Sequence, residues 1–128
     1  MSLREKLKIL VVDDMAVSRG LLTQALDQLG IRNYDYVSNG QEAMQYLGRT
    51  PVHLVISDYN MPEMDGLGLL RAIRSTAATA KTGFIMVTGS EDATVIQQGA
   101  QLGMNNFLKK PFTAANLREC IEKVFGRL

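Results

Sequence analysis

Cysteine occurs once in this chain of 128 residues, at Cys120, so no internal disulfide can form and a reducing compartment fits. Histidine also occurs once, at His53 just before an apolar run. There it reads as a surface or strand-edge residue and not as a catalytic one. An excess of one charge is missing too. Lys and Arg total 14 against 13 Asp and Glu, and the net charge of +1 gives no footprint for nucleic acid or another polyanion. No apolar run approaches the roughly 20 residues of a membrane span. Met1–Lys8 is too polar and short for a signal peptide. A monomer in the cytoplasm, with no membrane or nucleic-acid partner, is therefore expected. The seven methionines are scattered and read as packing residues. Cys120 falls on an apolar helical stripe and reads as a small core residue.

What is present is an alternation of short apolar runs with amphipathic stretches, the pattern of repeated βα units. Strands are predicted at Ile9–Val12, Tyr34–Val37, Leu54–Ser57, Phe84–Val87 and Asn106–Leu108, the second weaker and nearer an edge. The first helix, Ala16–Leu29, carries Leu22, Ala25, Leu26 and Leu29 on one face, and Gly30 ends it. Asn39 caps a second helix that turns Ala43, Met44 and Leu47 inward, and Asp65 caps a third with Leu67, Leu70 and Ile73. Ser90-Glu91-Asp92 caps and charges a fourth that runs to about Leu102, with Gly103 closing it. Thr113 caps the last, where Leu117, Cys120, Ile121, Val124 and Leu128 recur at helical spacing. A length of 128 residues without linker, repeat or composition break predicts one domain spanning 1–128.

The chemistry gathers at the carboxyl ends of those strands, where open α/β sheets build their sites. Asp13 and Asp14 end the first run and Asp58 the third. Thr88 ends the fourth, and Lys109-Lys110-Pro111 follows the fifth. Three acids in one crevice cannot all stay ionised unpaired. A hard divalent cation such as Mg2+ resolves that conflict with oxygen ligands. An acid cluster, a hydroxyl and a lysine then suit a phosphoryl group beside a metal. Taken singly, the acids would be caps, turn residues or solvated charges; the set at successive strand ends argues for a site.

The stretch Ser57-Asp58-Tyr59-Asn60-Met61-Pro62-Glu63-Met64-Asp65-Gly66 makes the pattern specific. With Asp13-Asp14, Met86-Val87-Thr88 and Lys110-Pro111-Phe112-Thr113, it resembles the response-regulator receiver domain, most of all the stand-alone chemotaxis regulators. The resemblance covers essentially the whole chain. It implies a flavodoxin-like (βα)5 three-layer sandwich whose five parallel strands run in the order 2-1-3-4-5. It also implies a two-component phosphoacceptor, not an enzyme acting on other substrates. Asp58 would accept the phosphoryl group from a histidine kinase. Asp14, Asp58 and the backbone carbonyl of Asn60 would bind Mg2+ directly, and Asp13 through a metal-bound water. Thr88 and Lys110 would contact phosphoryl oxygens, and the Lys110–Pro111 bond would be cis. Lys109 competes with Lys110. Strand alternation sends the two to opposite faces, and Pro111 with the family pattern favours Lys110. Phe107 would be the switch aromatic, a place where chemotaxis regulators often carry tyrosine; the plain alternative is a core phenylalanine.

With no output domain attached, the expected action is docking to a target such as the flagellar motor switch, or passing the phosphoryl group on. Control of chemotaxis is the first reading, and a diffusible phosphorelay intermediate or phosphate sink the alternative. The family's docking face would draw on 91–102, Phe107 and 114–128. Two other classes fit less well. An aspartyl-phosphate phosphatase of the haloacid-dehalogenase type wants a second Asp two positions after the nucleophile, where this chain has Asn60. A flavodoxin-type flavin module wants a Ser/Thr/Gly-rich phosphate loop after the first strand, where Asp13-Asp14-Met15 would repel a bare phosphate.

Overall fold

A computed structural model describes residues 2–89 and 93–128. The predicted helix cap at Ser90-Glu91-Asp92 lies outside the described residues. The strands are β1 (Ile9–Val12), β2 (Tyr34–Val37), β3 (Leu54–Asp58), β4 (Gly83–Thr88) and β5 (Asn106–Lys109). The helices are α1 (Leu3–Lys6), α2 (Ala16–Gln28), α3 (Gly40–Arg49), α4 (Gly66–Ser75), α5 (Ala93–Gln101) and α6 (Ala114–Phe125). The short α1 has no counterpart in the sequence reading. It is a single turn without buried residues, so it leaves no apolar periodicity to find.

All five strands are parallel, in the order β2-β1-β3-β4-β5. Chain order reverses beside β1, so the ends of β1 and β3 border a crevice. Burial explains why the strands read as continuous apolar runs: β1, β3 and β4 are covered on both faces. Alternation divides their side chains between two cores. Ile9, Val11, Ile56, Ile85, Val87 and Leu108 pack with Leu22 and Leu26 of α2 and Leu117 and Ile121 of α6. Leu10, Val12, Val55, Phe84 and Met86 pack on the other face with Leu47 of α3 and Leu69, Leu70 and Ile73 of α4. That is the three-layer arrangement.

Local sequence sets the helix ends. Asn39 accepts the Glu42 N–H at 2.8 Å, Asp65 accepts that of Gly68 at 2.9 Å, and Thr113 with Asn116 forms a reciprocal capping box. Gly30 and Gly103 follow α2 and α5 at positive φ, 78° and 89°, where a side chain would be strained. Gly66 answers a different need. A Cβ there would lie 2.8 Å from the carbonyl oxygen of Asp58, so only glycine lets α4 start this close to the end of β3.

Candidate functional site

Register brings the acids together. Val12 pairs with Ser57 across β1 and β3, so the next residue on each strand, Asp13 and Asp58, meet at the crevice. One carboxylate oxygen from each of Asp13, Asp14 and Asp58 lies within 4.8 Å of the other two. Asp13 is fully buried and Asp58 is 5 % exposed, whereas Asp14 opens to solvent. The Oδ1 of Asp13 accepts the Met15 N–H at 3.0 Å. Its Oδ2 is buried and has no hydrogen-bond partner among the described residues. A buried carboxylate oxygen without a donor is costly unless something positive completes it.

Asp58 sits under opposing electrostatic influences. Burial pushes its carboxyl above the usual carboxylate range. Lys110 pulls the other way, with Nζ 3.0 Å from Asp58 Oδ1, while Asp13 and Asp14 add to the upward push. The chain leaves β5 through a Lys110–Pro111 peptide bond that is cis, and the Lys110 N–H donates to the Thr88 carbonyl at 2.9 Å. Lys109 remains exposed. Thr88, the last residue of β4, is buried opposite Lys109 in the β4–β5 register. Below Asp58, the Tyr59 N–H donates to the Val87 carbonyl at 2.9 Å and that of Gly66 to the Tyr59 carbonyl at 2.8 Å, fixing the loop that carries Asn60. Phe107 is half-buried against the second core. His53 stands at the opposite pole, where its Nδ1 accepts the Lys8 N–H at 2.9 Å.

Three carboxylates this close, with Asp13 Oδ2 unsatisfied among the described residues, form a site for a hard cation, and the residues fit Mg2+ chemistry. One contributor escaped the sequence reading. Arg19 donates from its guanidinium to the Asp13 carbonyl at 3.0 Å. The available signal was a cation in the opening turns of a helix, where the macrodipole disfavours positive charge.

The acid cluster and Lys110 stand at the strand ends of a doubly wound parallel sheet, and residues 9–122 match the response regulator receiver domain family. The chain belongs to that family. It is 48 % identical over 128 residues to the "Probable chemotaxis protein CheY" of Rhizobium etli, covering 100 % of this chain and 99 % of that one. It is 36 % identical to the chemotaxis protein CheY-3 of Vibrio cholerae, covering 98 % and 97 %. Among solved structures, the chemotaxis response regulator CheY4 of Vibrio cholerae superposes with a TM-score of 0.84 at 28 % identity, over 92 % of this chain and 98 % of that one. The receiver domain of a sensor histidine kinase from Pseudomonas aeruginosa, which holds a magnesium ion in its active-site cleft, gives 0.84 at 28 % identity over 94 % and 98 %.

Proposed function

We propose that residues 1–128 act as one cytoplasmic receiver domain that takes a phosphoryl group on Asp58 and thereby controls chemotaxis. The observation that carries the reading is Asp58 itself, buried at a strand end, facing two acids and held by Lys110. Asp14, Asp58 and the Asn60 carbonyl would hold Mg2+, with Asp13 Oδ2 reaching it through water. A bound Mg2+ supplies charge neutralisation between the acceptor carboxylate and the incoming phosphoryl group. The free oxygen of Asp58 attacks phosphorus, the P–N bond of a phosphohistidine breaks, and the leaving imidazole takes its proton from water. Thr88 and Lys110 then hold the new phosphoryl oxygens, Lys110 through a charge-assisted bond.

His53 lies at the far pole of the sheet, so a partner must bring the phosphohistidine. Its docking ground is the start of α2, where Met15, Val17 and Leu21 are exposed beside the acid cluster. The identity with chemotaxis proteins favours motor control over a relay or sink. Acetyl phosphate with Mg2+ should place one hydroxylamine-sensitive phosphoryl group on the protein, and Asp58→Asn should abolish it. Undiminished labelling of that variant would move the acceptor elsewhere.

A further inference from the structure

Arg19 ties the acidic loop to the edge of the sheet. It lies in the second turn of α2, and helical side chains lean toward their own N-terminus. Its guanidinium therefore folds back over the β1–α2 loop and meets three groups. One nitrogen donates to the Asp13 carbonyl at 3.0 Å and reaches the Ser38 hydroxyl at 3.5 Å. The guanidinium carbon sits 4.9 Å from the centre of the Tyr36 ring. Tyr36 and Ser38 belong to the exit of β2, so the arginine spans two neighbouring strand ends. Tyr36 is 53 % exposed on the edge strand, which leaves its ring face open to the guanidinium.

Asp13 is thus held on three sides. Its N–H donates to the Val37 carbonyl at 3.2 Å, its Oδ1 accepts from Met15, and its carbonyl accepts from Arg19. The one atom left over is Oδ2, buried and without a partner among the described residues, on a carboxylate that belongs to the acid cluster. Fixing the other three groups leaves this oxygen little freedom to turn away. The N-cap residue of α2, Met15, makes no side-chain cap of its own, so the start of the helix is tied to the loop through the Asp13 carboxylate.

We infer that Arg19 is a positioning residue that, clamped against Tyr36 and Ser38, holds the Asp13 loop in the geometry Mg2+ binding needs. The inference rests on the metal reading above. A planar fork over an aromatic face can donate and stack at once, and a lysine ammonium cannot do both in the same way. The role is positional, because the positive charge of Arg19 by itself opposes a cation in the cluster. Outer partners of metal ligands typically change affinity 10- to 100-fold when removed.

The test is Mg2+ titration by calorimetry on the full chain, with thermal unfolding measured alongside. Arg19→Met, which keeps the aliphatic stem, should bind Mg2+ about tenfold more weakly, with a melting temperature within a few degrees of wild type. Arg19→Lys should stay several-fold weaker than wild type. Tyr36→Leu should weaken binding about threefold when Arg19 is present and have no further effect in Arg19→Met. Unchanged affinity in Arg19→Met overturns the clamp, and so does full recovery in Arg19→Lys, which would show that a lone donor to the Asp13 carbonyl suffices without the stacked fork. If Arg19→Met does not fold, Tyr36→Leu decides, and wild-type affinity in that variant overturns the clamp. Wild-type protein that takes up no Mg2+ overturns the metal site itself, a separate failure.

Discussion

The ammonium of Lys110 stands 3.0 Å from Asp58 Oδ1, yet this ion pair does not bring the carboxyl back to its ordinary range. Burial of Asp58 outweighs the attraction, and Asp13 and Asp14 reinforce the imbalance. The metal-free site therefore stores unfavourable charge, which a cation or a change of ligand can release.

That tension predicts a stability effect. A carboxyl whose pKa is raised by folding is destabilising when ionised, so wild type regains stability as pH falls through the folded value. Asp58→Asn should therefore be more stable than wild type at pH 7 in EDTA and melt at a higher temperature. The gap should narrow as pH falls toward 4. Thermal melts of both proteins across that range measure it. An Asn variant that melts lower than wild type at pH 7 would mean that the Lys110 pair dominates.

The metal ligands should divide by exposure and by prior commitments. Asp14 is open to solvent and brings a carboxylate oxygen to the cluster, whereas Asp13 already spends Oδ1 on the Met15 N–H. Asp14→Asn should weaken Mg2+ binding more than Asp13→Asn, since direct ligation outweighs contact through water. Calorimetry with each variant checks the order, and equal affinity of wild type and Asp14→Asn would remove Asp14 from the ligand set. Asp13→Ala should carry an additional folding penalty of about 1 kcal/mol, because it also strips the acceptor at the start of α2.

The exposed apolar side chains of α2 give a prediction about the donor. Val17 is 77 % exposed, and its neighbours Met15 and Leu21 are also open. Val17→Glu should leave labelling by acetyl phosphate unchanged and slow transfer from a phosphorylated kinase at least tenfold, by burying a charge in the encounter surface. Parallel time courses with the two donors separate the cases. Equal slowing with both would point to damage at the site, not to docking.

Much of this was legible in the sequence, for physical reasons that differ by element. Buried parallel strands announce themselves as apolar runs, so β1, β3 and β4 stood out, and caps such as Asn39, Asp65 and Thr113 marked helix starts. Strand β2 was weaker because an edge strand keeps polar and exposed residues, here Asp35 and Tyr36. The acids were legible because strand ends converge in an open sheet. Arg19 was not, since its partners are a backbone carbonyl and an edge-strand ring, and neither leaves a pattern in spacing. Arg74 was missed for the same reason: it donates to the carbonyls of Ala80, Thr82 and Gly103, tying α4 to the far end of the sheet.

The switch gives the last prediction. Thr88 ends β4 beside β3, which carries Asp58, and Phe107 lies on β5, where it pairs with Met86. Phe107 is half-buried against the second core, a position from which the ring can move further in or out. Its carbonyl also accepts the Cys120 thiol at 3.4 Å, which couples β5 to α6. A phosphoryl group on Asp58 should draw the Thr88 hydroxyl toward it through a charge-assisted bond. The volume vacated beside β4 should then admit the Phe107 ring. A target responds only if it prefers one of the two states, because a ligand indifferent to both shifts nothing. Thr88→Ala should therefore accept phosphate but transmit it poorly, and Phe107→Ala should be labelled normally and lose coupling to the target. Cys120 offers an independent reporter. Burial pushes its thiol up to about 11, so it should be nearly inert to thiol reagents at pH 8 in the resting state. Beryllofluoride should change both the Phe107 ring signals in NMR and the Cys120 modification rate. Ring signals identical with and without it would eliminate the aromatic switch and leave the acceptor assignment standing.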